Sequence, residues 1–157
     1  MGTIEAKLKA MGHALPAPFA FPSPNRRGAV QVGNMLFVSG HGVDAAAQPQ
    51  VRGVGKLGAD MSLPEGQAAA RAAALSMLAS IKCELGDLDR VKRVVRLFGM
   101  VNCTPDFGDQ PRVIDGASDL FFALFGPEAG CHARSAVGMA ALPRGIAVEI
   151  NGEFEVA

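Results

Sequence analysis

The stretch Arg134–Val156, RSAVGMAALPRGIAVEINGEFEV, indicates more about the fold than any other part of the chain. Residues 134–141 and 146–156 each alternate large apolar residues with small or polar ones, which predicts two strands with one buried face each. Leu142-Pro143-Arg144-Gly145 lies between them, and its proline and glycine predict a turn. The simplest expectation is that the two strands pair as a hairpin.

The face of this hairpin that turns away from the core carries Arg134 and Glu149, with Ala136 and Gly138 between them. For either of two turn centres, Arg134 and Glu149 share that face, with roughly 7–14 Å between their backbones. A guanidinium can hold a small carboxylate by two parallel hydrogen bonds, and a carboxylate can deprotonate a water. We therefore predict a ligand pocket around Arg134 and Glu149; the alternative is a plain salt bridge between the strands.

The rest of the chain alternates strand and helix signals. In chain order these are a short helix from Thr3 to Gly12, a Pro-rich arm at 15–24, two strands at 29–40 around Gly33-Asn34, a glycine-rich loop at 42–60, a helix from the capping box Ser62/Glu65 to Gly86, a strand at 91–101 and a helix at 110–125. This order predicts an α+β fold, a mixed sheet with two long helices packed on one face. We expect residues 1–25 to form a helix and arm, and residues 26–157 a single domain.

The charge and cysteine content argue against several classes of protein. The 15 Lys and Arg balance the 15 Asp and Glu, so the chain lacks the basic excess typical of nucleic-acid-binding proteins. Cys83, Cys103 and Cys131 match neither a disulfide framework nor a zinc site, and the last two are expected to be buried. No segment resembles a signal peptide or a membrane span. We expect a cytoplasmic protein with no metal, cofactor, nucleic acid or membrane partner.

Three further motifs carry weaker signals. Residues 53–58 fit the pattern GxGxxG, but no helix opens directly after them, so a flexible glycine loop is the preferred interpretation. Ser39 and His41 are near neighbours without a third group to orient them, which does not favour a serine hydrolase. His132 shapes the pocket or forms local hydrogen bonds, and the second interpretation is preferred.

Several of these stretches together resemble the Rid/YjgF family of imine deaminases and endoribonuclease L-PSP-like proteins. Residues 33–40, GNMLFVSG, are similar to its N-terminal GN-x(4)-SG strand. His132–Gly138, then Leu142-Pro143 and Val148-Glu149-Ile150, are similar to its C-terminal ARS…LP…VEIE signature, and Asp115–Phe122 falls where the family has its second helix. The resemblance spans residues 28–156, and residues 1–25 are an extension typical of a longer subgroup.

The resemblance implies a fold of the bacterial chorismate-mutase type and a homotrimer with three clefts at its subunit interfaces. It also implies hydrolysis of reactive 2-imino acids to 2-oxo acids and ammonia without a cofactor. Arg134 would hold the substrate carboxylate, and Glu149 would activate the water. Backbone groups at Ser39 and Gly40 would help to fix the ligand.

Four positions depart from the best-known branch of the family. The chain has no Tyr, and Arg26 lies near the position of that branch's pocket Tyr. His41, Ala136 and Asp115 stand where that branch has Gln, Cys and Asn. Ala136 and Asp115 are nevertheless predicted to line the ligand pocket. The alternative functions are a non-catalytic protein that binds small carboxylates, an endoribonuclease or translation inhibitor, and a chaperone-like protein.

Overall fold

The chain folds around one mixed β-sheet, as a computed structural model of residues 2–157 shows. Its strands are β1 (Ala29–Val32), β2 (Met35–His41), β3 (Val91–Asn102), β4 (Ala133–Met139) and β5 (Val148–Val156). They are arranged in the order β1-β2-β5-β3-β4, with β3 and β4 parallel and the other pairs antiparallel. The Gly33-Asn34 turn joins β1 to β2 as predicted, and Gly33 supplies its positive φ of 61°. The expected mixed sheet is confirmed.

Two long helices cover one face of this sheet. They are α2 (Leu63–Leu85) and α3 (Gln110–Ala129). The predicted capping box begins α2, because Ser62 Oγ accepts a hydrogen bond from Glu65 N and Glu65 Oε2 accepts one from Ser62 N. Buried alanines line α2, and a Cβ at Gly116 of α3 would overlap the Gln67 carbonyl, so small residues allow the helices to approach closely.

A short helix, α1 (Thr3–Ala10), packs its Ile4 and Leu8 into the same core. Threonine is a common capping residue, so the sequence predicts that Thr3 caps this helix. That prediction is wrong, because the Asp89 carboxylate instead accepts hydrogen bonds from the Thr3 and Ile4 amides at 2.7 and 2.8 Å. The following arm has no regular structure up to β1, and Phe21 within it contacts the His41 ring edge to face. No helix among residues 2–157 is long and apolar enough to cross a membrane.

The predicted C-terminal hairpin is wrong, because β3 lies between β4 and β5. Met100 of β3 pairs with Val137 on one side and with Glu149 on the other. Strands adjacent in sequence often pair directly, but here residues 140–147 span the width of β3. The continuous apolar run Met35–Val38 predicts a strand buried on both faces. This prediction is also wrong, because Leu36 and Val38 are buried whereas Phe37 is 48% exposed on the face without helices.

Candidate functional site

Arg134 projects from β4 toward α3, on the helix-covered side of the sheet. Its Nη1 donates hydrogen bonds to Asp115 Oδ1 at 2.7 Å and to Ser118 Oγ at 3.1 Å. Asp115 and Ser118 are three residues apart on α3, so they present their polar atoms on one helix face. The Nε and Nη2 donors of Arg134 have no hydrogen-bond partner among residues 2–157. One nitrogen therefore holds the guanidinium in place, and the other two can donate hydrogen bonds to a ligand.

His132 fixes the hydroxyl group of Ser118. Its Nδ1 lies 2.7 Å from the Gly130 carbonyl oxygen, which only a protonated nitrogen can approach, so Nδ1 donates and Nε2 accepts from Ser118 Oγ at 3.0 Å. Burial lowers the pKa of His132 below its ordinary value of 6.5, and the Arg134 charge lowers it further. The neutral ring thus leaves the Ser118 lone pairs free to accept from Arg134. His132 both lines the pocket and makes local hydrogen bonds.

A cleft of about 240 Å³ opens beside Arg134. Its other lining residues are Ser118, Asp119, Phe122, Gly130, Cys131 and His132. Cys131 is exposed there, so the prediction that it is buried is wrong, whereas Cys103 is buried as predicted. The cleft combines the Arg134 cation, the Ser118 hydroxyl group and the half-exposed ring of Phe122 with the exposed Asp119 carboxylate. The cation and the ring suit a small anion with an apolar substituent.

Glu149 lies on the other side of the sheet, directly over Gly40. A Cβ at position 40 would be 2.6 Å from Glu149 Oε2 and 2.9 Å from its carboxyl carbon, so only glycine allows this close approach. The register of β2 against β5 shifts between Val38 and His41, which takes Gly40 out of regular pairing. The Glu149 carboxylate and the Gly40 backbone therefore form a second polar group of the candidate site.

Ser39 and His41 hold this irregular segment of β2 in place. Ser39 donates from Oγ to the Arg27 carbonyl at 2.7 Å and from its amide to the Gly28 carbonyl at 2.9 Å. His41 Nδ1 lies 2.6 Å from the Ser39 carbonyl oxygen, and Ser80 Oγ lies 2.8 Å from Nε2. The Ser39 hydroxyl, amide and carbonyl groups all form hydrogen bonds within the chain. The backbone of Gly40, rather than that of Ser39, is therefore the part of this segment left to contact a ligand.

One chain does not bring Arg134 and Glu149 together. Glu149 and Arg134 are separated by two strand spacings and three residues along the strands, or roughly 14 Å between backbones. Their side chains also point to opposite faces, so both the shared pocket and the alternative salt bridge are wrong for a single chain. Ala136 lies with Arg134 on the helix side, packed against the core. Alternation predicted the helix-facing side of β5 correctly but that of β4 wrongly, because Arg134 and Ala136 were expected to turn away from the core.

The role of Ser118 was missed by the sequence analysis. Its position three residues after Asp115 on a predicted helix was the available signal, because that spacing places both side chains on one face. The partner of Asp115 could not be read from the sequence, since Arg134 is 19 residues away. No group of three or more metal-binding side chains comes together in residues 2–157.

This chain is similar to known proteins over nearly its whole length. A family model described as "YjgF/chorismate_mutase-like, putative endoribonuclease" matches residues 5–147. Protein TCP17 of Trypanosoma cruzi is 46% identical over 157 residues, which cover 99% of this chain and 95% of that protein.

Two solved structures are similar in both sequence and fold. Protein Atu1372 of Agrobacterium tumefaciens, of unknown function, is 38% identical with a TM-score of 0.87, covering 99% of this chain and 94% of its own. A proposed endoribonuclease from Shewanella oneidensis MR-1 is 34% identical with a TM-score of 0.90, covering 99% of this chain and 100% of its own. Together with the mixed sheet and its two covering helices, these matches show that the chain belongs to the YjgF/Rid family, with the chorismate-mutase-like fold.

Proposed function

We propose that this protein hydrolyses 2-imino acids to 2-oxo acids and ammonia. The observation that carries the proposal is the state of Arg134: Asp115 and Ser118 orient its Nη1, while Nε and Nη2 are unpaired within residues 2–157 beside an open cleft. Two parallel N–H groups of this kind match the two oxygens of a carboxylate, and charge-assisted hydrogen bonds are the stronger ones. Asp115 then acts by positioning Arg134 rather than by touching the substrate.

Glu149 is proposed to activate the attacking water. Its carboxylate accepts a proton from the water while the water oxygen bonds to the imine carbon, giving a tetrahedral carbinolamine. With a protonated imine, this addition leaves a neutral amino group and a proton on Glu149. Glu149 then returns that proton to the nitrogen, the C–N bond breaks to release ammonia, and the hydroxyl proton passes back to Glu149 as the C=O bond of the 2-oxo acid forms. The close approach of Gly40 limits where the carboxylate can lie, which supports its role as a positioned base.

We propose that each active site combines Arg134 of one chain with Glu149 of another, in a homotrimer. Arg134 lies on β4, an edge strand, and Glu149 lies on the sheet face that no helix of residues 2–157 covers. Val30, Val32 and Phe37 are all exposed on that same face, and such a group of apolar side chains favours burial against another copy. A closed ring would give three equivalent sites.

The test measures loss of 2-iminopropanoate and 2-iminobutanoate, generated by an amino-acid oxidase and trapped with semicarbazide. The wild type should accelerate the loss, and folded Arg134→Ala and Glu149→Gln variants should not. Mixing the two inactive variants during refolding should restore about a quarter of the wild-type activity, because random assembly pairs an intact Arg134 with an intact Glu149 at that frequency. No acceleration by the wild type contradicts the deaminase proposal, and no recovery on mixing contradicts the shared site.

A non-catalytic binding protein is the second candidate, and the ion pair of Arg134 with Asp115 favours it. A carboxylate already 2.7 Å from Nη1 offsets part of the charge that a substrate would meet. This candidate predicts saturable binding of 2-oxobutanoate that is lost in Arg134→Ala, with no imine turnover.

Endoribonuclease activity is the third candidate, because the matched family and the Shewanella relative are named for it. The balance of 15 basic and 15 acidic residues argues against it, since RNA binding depends on basic surface. Salt-sensitive RNA cleavage that Glu149→Gln abolishes would favour this candidate over the deaminase.

We further propose a cytoplasmic location, in which the free Cys83, Cys103 and Cys131 stay reduced. We also propose that residues 26–157 are the domain proper, with residues 1–25 as an extension that packs on it.

A further inference from the structure

A second and larger cavity, of about 560 Å³, lies at the carboxyl ends of β3 and β4. It is lined by Lys56, Cys103, Thr104, Pro105, Gln110, Gly138, Met139 and Ala140. We propose that this cavity binds a small molecule with one carboxylate or phosphate group on an apolar body. Its volume lies in the ordinary range of small-molecule sites, roughly 300–1,000 Å³.

Lys56, from the glycine-rich loop at 53–58, supplies an uncompensated charge. Its Nζ donates to Asn102 Oδ1 at 2.7 Å and to the Ala140 carbonyl at 2.8 Å, and the Cys103 carbonyl is 3.5 Å away. All three acceptors are neutral, and Lys56 makes no salt bridge within residues 2–157. The 3.5 Å contact is weak, so the third N–H can turn to an anion without loss of the two short bonds.

The beginning of α3 adds to the positive potential. Gln110, its first residue, lines the cavity, and Asp109 before it makes no side-chain capping bond. The amino end of α3, which runs without a break from Gln110 to Phe125, carries a partial positive charge. The Asp109 carboxylate is 3.5 Å from Arg112 Nη1, and neither Asp109 nor Asp106 is among the lining residues. The charged side chain that lines the cavity is therefore Lys56, and no carboxylate of residues 2–157 does.

The walls of the cavity suit an apolar body. Met139, Pro105 and the Cys103 thiol line the cavity with surface of low polarity, against which apolar groups can pack. Gly138 keeps the space open, because a Cβ there would lie 2.8 Å from Cys103 Sγ and 3.0 Å from Gln110 Nε2. Along β4, Gly138 is four residues from Arg134, or roughly 13 Å. The cavity is thus separate from the Arg134 cleft and extends beyond the function proposed above.

The test follows the methionine methyl groups by NMR, because the chain has no Trp or Tyr to report by fluorescence. Protein with ¹³C-methyl methionine is titrated with benzoate, phenyl phosphate and neutral benzamide. The Met139 signal should shift saturably with at least one of the two anions and not with benzamide, while the fully buried Met77 signal stays unchanged. The two anions distinguish a carboxylate ligand from a phosphate ligand.

Three variants test whether Lys56 supplies the positive charge for binding and whether the cavity and the Arg134 cleft are separate sites. Lys56→Gln should weaken the binding by roughly tenfold or more, Lys56→Arg should retain most of it, and Arg134→Ala should leave it unchanged. Imine hydrolysis by Lys56→Gln should equal that of the wild type. The proposal is overturned if neither anion shifts Met139 saturably, if benzamide binds as well as the anions, or if folded Lys56→Gln binds like the wild type. A Met139 signal that changes with protein concentration alone would mean that a second copy fills the cavity.

Discussion

Replacing Gly40 by alanine tests how closely the Glu149 carboxylate must be held. The new Cβ would lie 2.6 Å from Glu149 Oε2, so that oxygen must retreat by about 0.8 Å to reach 3.4 Å, the short end of ordinary van der Waals contact. The displaced atoms are the flexible end of a side chain on the open sheet face, so the fold should tolerate the change. A displacement near 1 Å of a catalytic group costs about 100-fold in rate. We expect kcat for imine hydrolysis to fall by about that factor.

The assay compares kcat and KM of Gly40→Ala with those of the wild type, using 2-iminobutanoate and semicarbazide trapping. KM should change little, because the carboxylate clamp at Arg134 is untouched. Gly108→Ala is the matched control, since a Cβ at Gly108 meets nothing within 4 Å and should leave both constants unchanged. A folded Gly40→Ala protein with wild-type kcat would refute the argument that the position of Glu149 against Gly40 matters for the reaction.

Three further predictions concern Ser118, His41 and Ser62. Ser118→Ala should raise KM about fivefold with kcat unchanged, because Arg134 Nη1 loses one acceptor worth roughly 1 kcal/mol; steady-state kinetics check this, and an unchanged KM would contradict it. Burial lowers the pKa of His41 below 6.5, so the unfolded state binds more protons and the free energy of unfolding should fall as the pH drops below 6.5. His41→Gln should reduce that decline in urea titrations, and an equal decline in both proteins would disprove it. Ser62→Ala should lower the free energy of unfolding by about 1 kcal/mol through loss of the α2 capping box, and an unchanged urea midpoint would count against that cap.

The local features of the fold could be predicted because neighbouring residues determine them. The capping box of Ser62 and Glu65 and the stop at Gly86 gave the limits of α2, which the structure has at Leu63 and Leu85. The Gly33-Asn34 dipeptide gave the β1–β2 turn in the same way. Alternation along β5 also predicted its buried side, since Val148, Ile150, Phe154 and Val156 are all buried. Each of these features depends on atoms that are close in sequence, where steric and hydrogen-bonding rules apply directly.

The candidate site could be predicted only residue by residue. Arg134 and Glu149 were identified by their types and spacing, but their mutual arrangement depends on β3, whose 12 residues precede both and lie between them in the sheet. Asp115 is predicted to line the ligand pocket, and the structure adds a partner that its sequence position does not show, the Arg134 guanidinium at 2.7 Å.

The sequence by itself thus determined the elements, the capping box of α2, the β1–β2 turn, the α+β class and the polar residues available for chemistry. Only the tertiary structure decided which strands are neighbours, which side of β4 meets α3, and that Arg134 and Glu149 face opposite ways in one chain. The physical reason is that strand pairing joins residues far apart in sequence. Moving a strand to a different neighbour preserves its alternating pattern while changing every partner of its side chains.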